Sequence, residues 1–141
     1  MKSQRQSAVV SQTVTMFLID GDGTRSAVNV ELSYDARDPF AVSATFLTSQ
    51  PVTWTFARDL LATGIYEPNG DGDVHVWPCL SANGSAVVIV ELSSPEGSIM
   101  IESSLRDVSA FLRAANAAVP PGTESRHLNI DAALLTLLGA R

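Results

Sequence analysis

The stretch that decides the fold runs from residue 54 to residue 78 and reads WTFARDLLATGIYEPNGDGDVHVWP. Trp54 and Phe56 alternate with threonines, which is the pattern of a strand with one apolar face. A short helical pattern follows over Ala57–Ala62, and Gly64 is expected to close it in the left-handed conformation. A loop rich in Pro, Asn, Asp and Gly then leads to a second strand beginning at Val74. This stretch therefore predicts a strand, a short helix and a second strand.

More strands are predicted on both sides of this unit. The segments with strand composition or alternation are Ser7–Ile19, Thr24–Tyr34, a segment restarting at Val42, the strand from Val52 into the central unit, Ala86–Leu92 and Ser98–Glu102. Asp20-Gly21-Asp22-Gly23 and Asn83-Gly84 lie between strands and are typical hairpin turns. Together with the strand at Val74 this makes seven strands in near-regular succession, which favours an antiparallel meander.

The pattern changes to helical spacing after the last strand. Ser104 is a candidate N-cap for a helix of about four turns, which Val119-Pro120-Pro121-Gly122 ends because proline lacks the amide donor. A second helix is expected over about Ile130–Leu138. Strands first and helices last predict an α+β domain, with one short central helix and two C-terminal helices on the sheet.

Length and composition limit the protein's class. The 141 residues predict a single domain over 1–141, with 1–6 as a flexible N-terminal tail. A net charge of −6 repels a phosphate backbone and makes nucleic-acid binding unlikely. The only cysteine, Cys79, requires no oxidising compartment, and no apolar run is long enough for a signal peptide or a membrane span. A cytoplasmic protein is expected, without membrane insertion.

Neither a metal site nor an active site is predicted. Asp20–Glu31 places acids at several ligand positions of a calcium loop, but Arg25 stands where that loop needs glycine, so a plain hairpin turn is favoured. His75, His127 and Cys79 lack any local catalytic motif. No catalytic residue, metal ligand or cofactor is therefore assigned.

Two features allow either a structural or a binding role. Arg58 and Asp59 open the short helix, where Asp59 suits the positive end of the dipole and Arg58 can reach a carboxylate or a partner; the structural role is favoured. Trp54, Phe56 and Trp77 are a candidate stacking platform for single-stranded nucleic acid, but core or subunit contact is favoured because almost no basic residues are interleaved.

Five blocks of sequence carry a resemblance to a known family. They are Tyr34-Asp35 with Asp38-Pro39-Phe40-Ala41-Val42, Trp54-x-Phe56-Ala57-Arg58-Asp59-Leu60-Leu61, Gly72-Asp73-Val74-x-Val76-Trp77-Pro78, Ser93-Ser94-Pro95-Glu96-Gly97 and Val119-Pro120-Pro121-Gly122-Thr123-Glu124. In this order they resemble the SsgA-like family of sporulation and cell-division regulators. The blocks cover nearly all of the chain from Tyr34 to Glu124.

The resemblance implies a non-enzymatic protein that recruits or positions the tubulin-like GTPase FtsZ at septum sites and promotes its assembly. It also implies a homotrimer, an SsgA-like paralogue as a second partner, and a protomer resembling the whirly class of single-stranded nucleic-acid binders. The last point keeps nucleic-acid binding open as the alternative function. Exposed loops on a rigid sheet often carry recognition, so the candidate partner contacts are Arg58, Asp59, Pro68, Asn69, Asp71 and Asp73.

Overall fold

The computed structural model describes residues 9–128. The strands are β1 (Val9–Ile19), β2 (Arg25–Asp35), β3 (Ala41–Phe46), β4 (Val52–Ala57), β5 (Asn69–Asp71), β6 (Val74–Leu80), β7 (Ala86–Ser94) and β8 (Gly97–Ser104). The helices are α1 (Arg58–Gly64) and α2 (Leu105–Ala118), followed by a 3₁₀ turn at Glu124–His127. The expected helix over Ile130–Leu138 and the expected tail at 1–6 lie outside the described residues.

All eight strands form one antiparallel sheet in the order β4-β3-β2-β1-β8-β7-β6-β5. It consists of two four-stranded meanders, β1–β4 and β5–β8, joined where β1 pairs with β8 through Phe17, Leu18 and Ile19. The predicted α+β class and antiparallel sheet are confirmed. The strands nearest the middle of the sheet are therefore the first and the last in the described chain.

The extra strand is β5, which forms inside the loop predicted between Pro68 and Gly72. Asn69–Asp71 pairs with β6, and Gly72 at φ +61° allows the tight turn between them. Turn residues dominate the sequence here, and only the pairing with β6 makes these three residues a strand. The predicted number of seven strands was one too few for this reason.

The hairpin predicted at Asp20–Gly23 is confirmed. The Asp20 amide donates to Thr24 O at 2.9 Å, and the Gly23 amide donates to Asp20 O at 2.9 Å. The Asp22 carboxylate accepts from the Thr24 amide, and hydrogen bonding to the Thr24 backbone and side chain lowers the pKa of Asp22. The acidic side chain therefore serves the turn itself.

The core lies on the inner face of a curled sheet. Side chains from both meanders, among them Phe46 and Trp54 from the first and Val90 and Leu92 from the second, line one apolar cavity of about 30 Å³. Helix α2 packs on β1, β7 and β8 and buries Val108, Phe111, Leu112 and Ala115. Its predicted cap is confirmed, because the Ser104 hydroxyl accepts from the amides of Arg106 and Asp107.

The prediction that Gly64 closes α1 in the left-handed conformation was wrong. The C-cap residue after α1 is Ile65, with φ −75° in the right-handed region, and Gly64 is not among the glycines with positive φ. A Cβ at Gly64 would lie 2.3 Å from Val76 Cγ1. Glycine is needed here because the helix backbone lies directly on β6, and the left-handed conformation plays no part.

Candidate partner-binding surface

Arg58, the first of the candidate contacts, is a buried side chain. It is 2% exposed and is among the largest fully buried side chains in the described chain. One guanidinium nitrogen, Nη1, donates to Val119 O at 2.7 Å, and Nη2 donates to Glu124 Oε2 at 2.5 Å. Arg58 is therefore too deeply buried to contact a partner directly, and this part of the predicted contact set was wrong. The side chain instead pairs with a carboxylate, which is the structural role that the sequence favoured.

Tyr34 forms one wall of the Arg58 site. The Arg58 Cζ atom lies 5.1 Å from the centroid of the Tyr34 ring, within the range of a cation–π contact. The Tyr34 hydroxyl donates to Pro39 O at 2.9 Å. Burial raises the pKa of this hydroxyl, which keeps it protonated as a donor. Arg58 is thus stabilised by an aromatic face as well as by its hydrogen bonds.

Glu124 supplies the negative charge from the 3₁₀ turn. Its Oε1 accepts from the Gly122 amide at 2.8 Å while Oε2 binds Arg58. A hydrogen bond from its own backbone amide, then the hydrogen bond from Arg58, hold the pKa of Glu124 below its ordinary value. The pair connects the start of α1 to the segment after α2, 66 positions apart in the chain.

The remaining candidate contacts lie on the surface. Asp59 is exposed on α1, which packs against β5 and β6, and Asp71 and Asp73 are exposed in the β5–β6 hairpin. Pro68 is exposed as well, and Asn69 is half-buried with its side chain accepting from the Gly70 amide at 3.0 Å. The structure thus brings the hairpin and the helix that carries Asp59 into one region and turns only Arg58 away from solvent.

A shallow groove of about 330 Å³ follows the same hairpin. It is lined by Pro68, Asn69, Gly70, His75, Val76, Trp77 and Glu91. The His75 ring lies on the backbone of Gly70, where a Cβ would approach His75 Cδ2 to 2.4 Å. The hairpin therefore borders a largely apolar groove lined in part by the rings of His75 and Trp77, and Gly70 leaves the space that the His75 ring occupies.

The aromatic stacking platform is not formed. Trp54 and Phe56 lie on β4 at one end of the sheet and pack against the core. Trp77 lies on β6, near the other end of the sheet order, on the face opposite the buried Val76. The favoured interpretation as core residues is thus correct for Trp54 and Phe56, and no continuous surface joins the three rings.

The described residues contain little that is typical of a catalytic or metal-binding site. Within residues 9–128, no group of three or more His, Cys, Asp or Glu side chains is placed to bind a metal. His75 and His127 are both exposed, and His127 Nδ1 lies 3.2 Å from Thr123 O. No helix in this part of the chain has the length and hydropathy needed to cross a bilayer.

Sequence reasoning missed the partner of Arg58. Glu124 ends the last block quoted above, but it lies far from Arg58 in the sequence, and no periodic pattern links the two positions. The available signal was an acid following Pro120-Pro121-Gly122, a rigid turn that fixes where the chain goes after α2. Identifying the pair required knowing that this turn returns to the start of α1.

The family model described as "Streptomyces sporulation and cell division protein, SsgA" matches residues 28–124. The chain belongs to the SsgA family. The matched region begins in β2 and ends at Glu124, so it includes both members of the buried ion pair and the whole β5–β6 hairpin. The resemblance read from the five sequence blocks is confirmed.

Full-length SsgA-family proteins match over nearly the whole chain. A sporulation-specific cell division protein SsgB from Streptomyces coelicolor is 45% identical over 94% of this chain and 97% of its own length. The SsgB protein of Kineococcus radiotolerans is 43% identical over 92% of this chain and 79% of its own length. These identities indicate a role in cell division during sporulation.

Solved structures of the SsgA family share the fold. One, described with mutations in SsgB that correlate with longitudinal cell division during sporulation of Streptomyces coelicolor, is 47% identical with a TM-score of 0.81. It covers 85% of this chain and 95% of its own. The SsgA-like sporulation-specific cell division protein of Thermobifida fusca is 34% identical with a TM-score of 0.82 and covers 89% and 93%.

Proposed function

We propose that this protein acts without catalysis, by recruiting FtsZ to septum sites during sporulation and promoting its assembly there. The observation that carries the proposal is the match to SsgB of Streptomyces coelicolor, which is 45% identical over 97% of its length. A sporulation-specific division protein must act on the division machinery, and a small domain of this kind does so most simply by binding. FtsZ is the partner that the family resemblance implies.

The fold supports a binding role of this kind. Sheet pairing and the buried Arg58–Glu124 bond fix the backbone around α1 and the β5–β6 hairpin. Asp59, Asp71 and Asp73 remain exposed on that fixed frame. Arg58 would then influence binding indirectly, by holding the first turn of α1 in place, and the exposed acids would meet the partner.

The same proposal includes assembly and location. The protein acts as a homotrimer, takes an SsgA-like paralogue as a second partner, and works on the cytoplasmic side of the division septum. Exposed apolar side chains such as Tyr66, 79% exposed, and Leu80, 69% exposed, leave surface that further subunits or partners can cover. Static light scattering of the purified chain measures the number of subunits directly.

Co-sedimentation with FtsZ polymers tests the central claim. The purified protein should pellet with FtsZ assembled in GTP and should increase light scattering by the polymers. The variant with both Asp59→Asn and Asp71→Asn should bind at least about fivefold more weakly if these acids make the contact, since losing charge-assisted bonds costs about 1 kcal/mol or more. Asp20→Asn, in the exposed β1–β2 turn, is the matched control and should bind normally.

The proposal fails if the intact protein neither pellets with FtsZ nor alters its assembly under several buffer conditions.

The alternative function is the binding of single-stranded nucleic acid. Fluorescence anisotropy with mixed-sequence single-stranded oligonucleotides at low salt tests it. The net charge of −6 and the dispersed aromatic rings lead us to expect no binding. Micromolar affinity that weakens steeply with salt would instead favour a nucleic-acid-binding protein.

A further inference from the structure

Strand β4 forms one end of the sheet and, within residues 9–128, pairs only with β3. The Arg58 amide donates to Phe40 O at 2.7 Å, in register with the β3–β4 ladder. Hydrogen bonds in an antiparallel ladder alternate, so the even-numbered residues of β4 bond to β3. The backbone N–H and C=O groups of Thr53 and Thr55 therefore point away from the sheet, along an edge that no other strand of residues 9–128 pairs with.

Within the described residues, this edge lacks the usual protection against pairing. Natural edge strands are blunted by lysines, prolines, bulges or short length, or are covered by a helix or loop. Neither β3 nor β4 contains a charged residue, and the nearest proline, Pro51, precedes β4. The opposite end of the sheet is different, because β5 has only three residues, one of them Gly70, and follows Pro68 closely. Of the two ends, β4 is the one built to accept another strand.

The side chains of β4 specify what kind of strand fits. Val52 is 51% exposed, while Trp54 and Phe56 are half-buried beside it on the apolar inner face. On the other face the hydroxyls of Thr53 and Thr55 bond across to β3, at 2.8 Å from Thr45 and 3.0 Å from Ser43. An added strand would place apolar side chains beside Val52, Trp54 and Phe56 and polar side chains beside the threonines.

Charge distinguishes the two ends of the edge. Where β4 passes into α1, the exposed acids Asp38 and Asp59 flank the Phe40–Arg58 backbone bond. Among the described residues, the cations next to these acids in the sequence are already engaged, Arg58 with Glu124 in the interior and Arg37 with Asp35 at 2.7 Å. A strand running antiparallel to β4 starts at this end, so a basic residue at its beginning is complemented by the two acids.

We infer that the β4 edge captures an extended segment of the partner protein, which adds to the sheet as a ninth, antiparallel strand. The segment begins with a basic residue and continues with alternating apolar and polar residues. This binding mode uses backbone hydrogen bonds for affinity and alternate side chains for selectivity. The inference rests on the proposed function in one respect, that the division partner supplies the segment.

The test uses a substitution that blocks the edge without touching the β3 ladder. Thr55→Pro removes an amide that faces solvent, a position at which proline is tolerated in edge strands. Thr55→Val loses the same hydroxyl bond to Ser43 but keeps the amide, and so is the matched control. A fluorescent synthetic peptide of lysine followed by alternating valine and threonine should bind the intact protein and Thr55→Val alike, and Thr55→Pro at least about tenfold more weakly.

Hydrogen exchange of the intact protein gives a readout that needs no variant. Saturating peptide should slow exchange of the Thr53 and Thr55 amides, whereas those of Thr13 and Thr15 in the paired strand β1 should not change. If the peptide fails to bind, or binds without protecting the two β4 amides, the inference is overturned. A lower oligomer mass of Thr55→Pro in light scattering would also overturn it, because the edge would then pair copies of this chain.

FtsZ co-sedimentation separates this inference from the proposed function. Intact protein and Thr55→Val should pellet with the polymers, and Thr55→Pro should stay in the supernatant. Equal pelleting of all three overturns the edge inference and leaves the FtsZ proposal standing. If none of the three pellets, the FtsZ proposal fails, and the peptide and exchange results alone decide whether the edge accepts a strand.

Discussion

The Arg58–Glu124 pair shows how a single residue's position decides its role. An arginine in the first turn of a short helix can face solvent or turn inward, and the sequence at positions 57–64 does not distinguish the two. Burial at 2% with two hydrogen bonds means that removing either partner leaves the other uncompensated. A substitution of Arg58 therefore destabilises the fold by breaking this pair, and a loss of partner binding in such a variant is not by itself evidence of a direct contact.

Glu124 makes the stability of the protein depend on acid. Because the folded-state pKa of Glu124 is lowered, its contribution is fully present above the ordinary value of 4.5 and is lost as the pH falls through the folded-state pKa. We expect Glu124→Gln to be less stable than the intact protein at neutral pH and to lose less further stability on acidification. Urea unfolding across this pH range measures both effects.

Glu67→Gln, at an exposed position after α1, is the control and should keep the acid sensitivity of the intact protein. If Glu124→Gln and the intact protein lose the same free energy of unfolding on acidification, the carboxylate of Glu124 is not the group responsible. The Gln variant should still bind FtsZ at neutral pH if the fold is retained, which separates a loss of stability from a loss of contact.

At the scale of elements, the backbone of α1 at Gly64 packs directly against the side chain of Val76 in β6. Gly64→Ala places a methyl group 2.3 Å from Val76 Cγ1, and Val76 is fully buried, so neither side can move freely. We expect a destabilisation of about 2 kcal/mol, typical of overpacking in a core. Chemical denaturation of the variant measures it.

The double variant Gly64→Ala with Val76→Gly tests the cause. Val76→Gly removes both Val76 Cγ1 and Val76 Cβ, the two atoms within 2.5 Å of the new methyl, so the double variant should be more stable than the sum of the two single effects predicts. Additive losses would mean that the helix accommodates the Gly64→Ala methyl by shifting elsewhere and that the close approach to β6 is not what requires glycine.

Most elements were predictable because they follow from local rules. Strand composition and alternation located seven of the strands, Ser104 marked the start of α2, and Asp20–Gly23 marked a hairpin. The predictions that failed depended on contacts with another segment of the chain. Asn69–Asp71 is a strand only because β6 lies beside it, Gly64 is required only because Val76 lies below it, and Arg58 is buried only because Glu124 reaches it. Of the candidate site, the exposure of Asp59 and of the hairpin acids was predictable from the sequence, and the burial of Arg58 was not.

At the scale of the whole molecule, the two meanders share one core. The inner faces of both, together with α2, contribute to a single cluster that includes Val30 from the first meander and Val76 from the second. Each meander also contains one tryptophan, Trp54 in β4 and Trp77 in β6. The protein should therefore unfold as one cooperative unit, and the two rings offer a direct way to observe it.

Single-tryptophan variants provide the measurement. Trp54→Phe leaves Trp77 as the reporter of the second meander, and Trp77→Phe leaves Trp54 as the reporter of the first. After correction for the small stability change of each variant, measured by circular dichroism, the fluorescence midpoint in urea should coincide with the midpoint from circular dichroism in both. A fluorescence transition that precedes loss of secondary structure in one variant would reveal a meander that melts on its own.

The pairing of β1 with β8 also has a consequence for synthesis on the ribosome. β1 emerges before β8 and receives this second neighbour only after the segment from Gly97 has left the exit tunnel, so its apolar end at Phe17–Ile19 stays open while the intervening strands are translated. Such an open strand is prone to pair with other nascent chains. Slow translation or a truncated message should therefore yield aggregates seeded by β1, even though Phe17–Ile19 pairs with β8 in the finished protein.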